Sequence, residues 1–499
     1  MTEPRLAEIS DRRRVAALVW WPAVALIALL HLQVQTLGIN TSELWLDEAS
    51  TWGVAVRPLR TVLTLPTAFH SQPPLYYILL HFVIELGSAE WVLRGLSWLA
   101  CMLLVLFVLT RLRELTLAAR VCWCLFFIYS PFTFPMERSV RPYGMAALLS
   151  FVSTIALLRL IERPDRRGAL QYFAMALAML YTMAFDVAVF AVQVLYVVGV
   201  LVARLRRDGG ANSWARDRWL VLSTVATTVL YLPYLALVYH WQGANGHPSW
   251  AATKGQLTSW AAYSSSIETL LPFGAPWSTV LYGLMLVAVV ADLRARRGRA
   301  LLLVLLVFGQ IAFVRGFCIG RTPIEIRYWT PALPAFYLLV ALGLDGCVGM
   351  VRPVAWVAVL SALIWLNLDA WPSYKAFLQA PLAKDTWRSM HESLTPFVGK
   401  KVIFFDTGYL GQMLEYETRN DPTVSLALQK GSFWAAGGDS HLDPSYIERI
   451  VDENSADTHC FFYFRERAGP FESAFLPAMH RIGFVAAGFA SGLRAFCRP

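Results

Sequence analysis

The stretch VLRGLSWLACMLLVLFVLT, residues 92–110, holds nineteen residues, of which Arg94 alone carries a charge. A run of about 20 predominantly apolar residues is what an α-helix needs to cross the hydrocarbon core of a bilayer. Comparable apolar runs recur from Val15 to Trp371. The whole chain is 57% hydrophobic and only 15% charged, whereas soluble domains carry about 25% charged residues. The sequence therefore predicts an α-helical polytopic membrane protein and excludes a soluble globular one.

The net charge of +9 is not spread evenly. The part from residue 372 onward holds 13 Lys/Arg and 14 Asp/Glu, so it is nearly neutral. The basic excess lies in short connections between apolar runs, at residues 12–14, 111–120, 163–167, 204–207 and 294–299. Short basic clusters between spans mark cytoplasmic loops by the positive-inside rule. This distribution indicates a lipid bilayer, and not nucleic acid, as the partner of the chain.

The apolar piece Leu75–Leu86 decides the topology. Its twelve residues are too few for a span and are typical of an interfacial helix. If it crossed, the clusters 111–120 and 204–218 would lie outside; if it lies flat, every arginine cluster lies inside. We therefore predict about 11 transmembrane helices, juxtamembrane helices in the first outer loop, a cytoplasmic N-terminus and an extracytoplasmic C-terminal domain.

Two domains follow from this topology. Residues 1–371 form the predicted transmembrane domain, whose outer loop 36–91 carries the candidate active site, and residues 372–499 form a small α/β soluble domain. In the latter, 401–405 and 460–464 are strand-like, with weaker strands at 484–486 and 493–496 and helices at 443–452 and 471–480. Cys460 and Cys497 can pair there if the domain is extracytoplasmic, because disulfides persist in oxidising compartments.

Acidic and basic residues gather in the outer connections. Asp47 and Glu48 follow the first span, and one carboxylate of such a pair can act as a general base. Arginines on the outer side run against the positive-inside rule, and phosphate binding by a guanidinium supplies a reason for them. They are Arg94, Arg138, Arg141 and Arg327. Taken singly, each of the two acids is equally well explained as a solvated loop residue. Each arginine is equally well explained as a side chain that snorkels to the lipid headgroups.

Short motifs around these residues are weak signals singly, but taken together in their order along the chain they indicate a particular protein family. DE (47–48), PPLYY (73–77), EWVLR (90–94), ERSVRPY (137–143) and RY (327–328) together resemble the GT-C glycosyltransferases. The resemblance is to the bacterial branch related to protein O-mannosyltransferases and lipid A aminoarabinose transferases, and it covers residues 1–350. It implies an inverting glycosyltransferase of the bacterial inner membrane. Such an enzyme moves a sugar from a polyprenyl-phosphate donor to a hydroxyl acceptor (envelope glycan, lipid or protein) on the outer face.

The resemblance also implies roles for individual residues. Asp47, with Glu48 beside it, would contact or deprotonate the acceptor, and Arg94 and Arg327 would bind the donor phosphate together with Arg138 and Arg141. Substrate-binding roles fall to Glu137, Tyr143, Tyr76, Tyr328, Gln72 and His70. Many family members have His directly before the Pro-Pro pair, where Gln72 stands here; His70 comes two residues earlier. The Asp-x-Asp pattern of metal-dependent oligosaccharyltransferases is absent, so we expect neither a metal nor another cofactor.

Two other classes of function compete with this interpretation. A lipid or solute transporter would use the same charges to bind cargo, and it predicts ionisable residues buried in the middle of spans. A non-catalytic partner in envelope assembly predicts that the Asp47 region tolerates substitution. A glycan ligase with a pyrophosphate-linked donor is a third possibility within the enzymes.

Overall fold

A computed structural model gives the conformation of most of the chain. It describes residues 21–22, 24–36, 44–64, 72–130, 133–208, 210–245, 274–295, 298–313, 326–348, 395–405, 416, 419, 433–436, 444–464, 470–487 and 493–499. The chain divides into two compact units, one of Met1–Ile39 with Leu59–Leu378 and one of Asn40–Pro58 with Gln379–Pro499. The second unit thus includes residues 40–58, which the sequence analysis grouped with the outer loop of the transmembrane domain.

Helices dominate the first unit, and we number them along the whole chain. They are α1 (Val24–Thr36), α2 (Leu46–Ala55, which belongs to the second unit), α3 (Leu59–Val62), α4 (Leu75–Ile84), α5 (Glu90–Arg111), α6 (Leu117–Ile128), α7 (Thr133–Glu137), α8 (Tyr143–Glu162), α9 (Arg166–Leu180), α10 (Asp186–Asp208), α11 (Gly210–Asn245), α12 (Gly274–Arg294), α13 (Arg299–Phe313) and α14 (Leu333–Val348). A 3-10 turn, Ile326–Ala332, leads into α14.

Local signals in the sequence set several helix starts. Thr116 accepts a hydrogen bond from the Ala119 amide at 3.2 Å and so caps α6. Asp165 caps α9 in the same way, accepting from the Gly168 amide at 2.6 Å. Each cap satisfies an amide that has no partner within its helix. The helix α4 begins directly after Pro73 and Pro74, where the missing N–H of proline costs nothing.

Five of the described helices are long and apolar enough to cross a membrane. They are Glu90–Arg111, Tyr143–Glu162, Asp186–Arg207, Arg216–Val238 and Tyr328–Cys347. Large apolar side chains on their outward faces are exposed, such as Leu195 at 69%, as lipid contact requires. The chain is therefore a multi-pass membrane protein. Parts of the predicted first span and all of the predicted last span, 353–371, lie outside the described residues, so the number eleven stays a prediction.

The second unit contains a five-stranded mixed sheet. Its strands are β1 (Val402–Phe405), β2 (Phe433–Ala436), β3 (Cys460–Phe464), β4 (Val485–Ala487) and β5 (Leu493–Cys497), in the spatial order β2-β1-β3-β5-β4. The first three strands are parallel, and β5 and β4 extend the sheet antiparallel. The helices α15 (Pro444–Asn454) and α16 (Pro470–Arg481), together with α2, are the α-helices of this unit among the described residues.

The core of this unit is aromatic. Phe405, Phe461, Phe475 and Phe496 are buried together, with the rings of Phe405 and Phe475 edge to face at 5.2 Å. Burial of aromatic rings supplies most of the stability of a small domain of this kind. Cys460 is the first residue of β3 and Cys497 the last residue of the neighbouring β5. The two residues are paired across the strands and form a disulfide.

Candidate functional site

The predicted site residues fall into both units. Asp47 and Glu48 belong to the second unit. The first unit contains Gln72, Tyr76, Arg94, Glu137, Arg138, Arg141, Tyr143, Arg327 and Tyr328. His70 lies outside the described residues, and of Arg327 only the backbone, in the 3-10 turn, is described.

The two adjacent carboxylates have different surroundings. Glu48 is buried, with 2% exposure, and its Oε2 accepts a hydrogen bond from the Trp45 amide at 3.1 Å, which closes the start of α2. Asp47 is half-buried in the first turn of the same helix, where the helix dipole favours a negative charge. Of the pair, Asp47 is therefore the carboxylate with a surface open to a substrate.

The helix α2 is held by packing within its own unit. The ring of Trp52 meets the ring of Tyr416 edge to face at 5.1 Å. The guanidinium of Arg419 lies 3.6 Å from the centre of the same tyrosine ring, at a distance suited to a cation–π contact. This places the Asp47 helix on the C-terminal unit, although more than 300 residues of sequence separate them.

In the first unit, a chain of hydrogen bonds joins three elements that carry predicted site residues. The hydroxyls of Tyr76 and Ser97 lie 3.0 Å apart, and the Ser97 hydroxyl donates to the Arg141 carbonyl at 2.8 Å. Tyr76 and Ser97 are fully buried, so each bond is protected from water. The start of α4, the first turns of α5 and the segment before α8 are therefore tied together.

A close approach of two helices supports this arrangement. A Cβ atom on Gly144, the second residue of α8, would stand 2.8 Å from both the Cys101 Sγ and the Ser97 carbonyl of α5. Only a glycine lets the two backbones come this near, as small residues do at helix contacts in membranes. The arginine pair before α8 is thereby held against α5.

Three guanidinium groups lie at this end of the unit. Arg94 stands one turn before Ser97 on α5 and is only 3% exposed. Arg138 lies over the ring of Phe134 at 4.8 Å, and Arg141 lies over the ring of Tyr143 at 5.8 Å. An arginine stays charged in a protein, so this end of the helices concentrates positive charge in a region of low dielectric. Such a field suits an anionic group.

Glu137 faces the interior of the unit. It is 1% exposed, its Oε2 lies 3.1 Å from the Nε2 of His31, and the amide of Gln35 donates to the same oxygen. Burial raises the pKa of Glu137, and the hydrogen bonds from His31 and Gln35 oppose that rise. The contacts with α1 were not predicted, because the partners lie 106 and 102 residues away.

The connection between α9 and α10 completes this end of the unit. Gln72 accepts from the Ala184 amide at 3.3 Å, and the Leu75 amide donates to the Tyr181 carbonyl at 2.9 Å. The rings of Phe185 and Tyr328 stack at 4.1 Å, beside Tyr143. The structure thus brings together Gln72, Tyr76, Tyr143 and Tyr328, four of the predicted substrate-binding residues.

The sequence analysis assigned no site role to Asp186. It is the first residue of α10 and is fully buried, and neither carboxylate oxygen has a hydrogen-bond partner among the described residues. It directly follows Phe185, which stacks on Tyr328. In the sequence, Asp186 is a carboxylate at the end of a predicted span, a position that is also typical of an ordinary helix start, and it was therefore given no role in the site. Within the described ranges, no three His, Cys, Asp or Glu side chains are grouped as metal ligands.

Buried ionisable residues occupy particular positions in the spans. In the five long described spans they are Arg94, Asp186 and Asp217, all within the first turns of their helices. A transport pathway would require such residues in the middle of a span. This part of the chain therefore lacks the feature that the transporter hypothesis predicts.

Comparisons with known proteins address the fold. No protein-family model matches the sequence, and no curated protein sequence matches it. Solved structures do match. ArnT from Cupriavidus metallidurans in the apo state is 15% identical, with a TM-score of 0.58, over 96% of this chain and 98% of that one. The same enzyme bound to undecaprenyl phosphate matches with a TM-score of 0.58 and 15% identity, over 95% of this chain and 97% of that one.

A second transferase matches less fully. The arabinofuranosyltransferase AftD from Mycobacteria is 14% identical with a TM-score of 0.50, over 97% of this chain but only 40% of its own length. Both are GT-C enzymes. The fold expected from the ordered motifs is therefore confirmed, and the chain has the fold of the GT-C glycosyltransferases.

Proposed function

We propose that this protein is an inverting glycosyltransferase that moves a sugar from a polyprenyl-phosphate donor to a hydroxyl acceptor. One observation carries the proposal: the fold matches ArnT over 96% of the chain, and one of the matching ArnT structures holds undecaprenyl phosphate. The concentration of buried arginine and tyrosine at one end of the first unit agrees with an anionic lipid-linked substrate.

We assign the donor phosphate to the arginines. Arg94 is held in place by burial on α5, and Arg138 and Arg141 by the contacts of the segment before α8; Arg327, from the 3-10 turn, completes the proposed set. Preorganised guanidinium groups stabilise a phosphate that gains charge as it leaves. The nearby Tyr76, Tyr143, Tyr328 and Gln72, with His70, would contact the sugar or the lipid. Glu137 keeps its predicted substrate role only if it exchanges its contacts with α1.

We propose that Asp47 acts as the general base of the transfer. The Asp47 carboxylate takes the proton of the acceptor hydroxyl, and the hydroxyl oxygen attacks the anomeric carbon. The bond between that carbon and the phosphate oxygen breaks, and polyprenyl phosphate leaves with the electron pair. Attack opposite the leaving group inverts the configuration, and Asp47 then returns the proton to water. Glu48 acts as a positioning residue through its bond to the Trp45 amide.

We further propose that the protein lies in the bacterial inner membrane, with a cytoplasmic N-terminus and the C-terminal unit outside. The basic connections support this orientation through the positive-inside rule. The disulfide between Cys460 and Cys497 supports it independently, because such bonds persist in oxidising compartments.

The donor assignment can be tested with purified protein in liposomes. A panel of radiolabelled polyprenyl-phosphate sugars is offered with extracted envelope glycans, lipids and proteins as acceptors. Release of polyprenyl phosphate from one donor, with label in one acceptor, is the expected result. Movement of intact donor across the bilayer without release would instead favour a transporter.

The arginine assignment needs its own variant. Arg94→Gln should weaken donor binding about tenfold or more, because a charge-assisted hydrogen bond contributes roughly 1.5–3 kcal/mol. Arg113→Gln, an exposed arginine beyond the other end of α5, is the matched control and should leave donor affinity unchanged. Equal donor affinities in the two variants would remove Arg94 from the phosphate site.

A further inference from the structure

A cavity of about 430 Å³ lies at the end of the first unit opposite Arg94. One part of its lining is apolar and includes Leu115, Ile155, Leu158 and Leu338, which come from the turn after α5 and from α8 and α14. Arg94 and Arg111 are 17 residues apart on α5, which is about 25 Å along a helix. The cavity is therefore separate from the proposed donor site.

Arginines surround the mouth of this cavity. Two of them are engaged: Arg159 donates to the Arg111 carbonyl at 2.9 Å, and Arg299 donates to Glu162 at 2.6 Å. Arg163 and Arg167 also line the cavity and are exposed, and neither side chain forms a hydrogen bond or ion pair with another described residue.

The acids at the mouth are mostly engaged as well. Glu162 pairs with Arg299, and Asp165 caps α9 through the Gly168 amide. Glu114 also lines the cavity but is exposed. The Asp165 carboxylate keeps its negative charge while it caps α9, so the lining holds four arginines and three carboxylates. The lining therefore carries a net positive charge, and Arg163 and Arg167 are its two arginines without a partner among the described residues.

We propose that this cavity binds an anionic glycerophospholipid from the adjacent leaflet, with its phosphate on Arg163 and Arg167 and an acyl chain along the leucine wall. A soluble phosphate would use the arginines but gain nothing from the apolar wall. A zwitterionic lipid would use the wall but gain less from the charge. Basic pockets between membrane helices are a recurrent way of holding anionic headgroups. The bound lipid would tie together the ends of α5, α8, α13 and α14.

Native mass spectrometry of the delipidated full chain in detergent tests this directly. The protein is offered equal amounts of phosphatidylglycerol and phosphatidylcholine with identical acyl chains. We expect the phosphatidylglycerol adduct to dominate. The double variant Arg163→Gln/Arg167→Gln should lose affinity for phosphatidylglycerol by about fivefold for each arginine removed.

A second double variant provides the matched control. Arg113→Gln/Arg166→Gln removes the same charge from the same end of the unit, but neither residue lines the cavity; phosphatidylglycerol binding should be unchanged. Equal losses in the two double variants, or equal binding of the two lipids by the wild type, would overturn the proposal. Displacement of the lipid by excess inorganic phosphate would also overturn it, because it would assign the cavity to a soluble anion.

Discussion

At the scale of single residues, Glu137 shows how contacts distinguish two roles for one carboxylate. Its position before Arg138 and Arg141 suggested a substrate contact, but in the structure it bonds to His31 and Gln35 inside the first unit. Because burial raises its pKa, this carboxyl group binds its proton more tightly in the folded state than in the unfolded state. When the pKa of a group is higher in the folded state than in the unfolded state, its contribution to stability is fully present below the unfolded-state pKa. That contribution is lost as the pH rises through the folded-state pKa.

This pH dependence of stability predicts a measurable difference between the wild type and Glu137→Gln, because the glutamine side chain is neutral at every pH. Above about pH 4.3, the ordinary pKa of a glutamate, the thermal midpoint of the wild type in detergent should fall relative to that of the variant. Donor affinity should be the same in both. Parallel pH profiles would contradict the burial effect, and a loss of donor affinity would return Glu137 to the substrate site. Glu114→Gln, an exposed glutamate, serves as control.

At the scale of elements, the contact between α5 and α8 at Gly144 positions the arginines before α8. Gly144→Ala should lower the thermal midpoint in detergent, because overpacking costs about 1–3 kcal/mol, and should weaken donor binding by moving Arg141. Gly95→Ala is the matched control: it makes the same change on α5, where a Cβ atom meets nothing within 4 Å. Equal midpoints in the two variants would show that the helices do not meet as described.

Other elements show what the sequence could and could not predict. The helix at Leu75, the long apolar helices and the strand at Cys460 follow from apolar run length and from proline positions, which are local. The strand Phe433–Ala436 was missed, because four residues between glycine-rich flanks carry too little pattern. The cap formed by Glu48 was missed as well, because Trp45 occupies the place where a capping box has Ser or Thr.

At the scale of the whole molecule, the features that the sequence did not predict are contacts between residues far apart in the chain. Ser97 and Arg141 meet across 44 residues of sequence, and α2 belongs with a sheet that begins at Val402. Ordered motifs could predict the fold, since it depends on the order of the elements, whereas the roles of the candidate residues stay predictions. They could not predict which residues touch, because helix packing sets those contacts.

The disulfide between Cys460 and Cys497 leads to a prediction at this scale, because its presence in the native protein depends on the compartment of the C-terminal unit. Mass spectrometry of non-reduced protein from the native membrane should show one linked peptide pair. Replacing both cysteines with serine should destabilise this unit by about 2–4 kcal/mol, since the bond closes a long loop. Two free thiols in the native protein would contradict both the bond and an extracytoplasmic location.

The most direct test of the central claim is a single-turnover comparison of the wild type, Asp47→Asn and Glu453→Gln with the identified donor and acceptor. Glu453 is an exposed acid of the same unit, so its variant controls for loss of charge. If Asp47 is the general base, Asp47→Asn should slow transfer by about 10²-fold or more while donor affinity stays unchanged, and Glu453→Gln should match the wild type. Transfer by Asp47→Asn at the wild-type rate would contradict the assignment of the chemistry to this carboxylate.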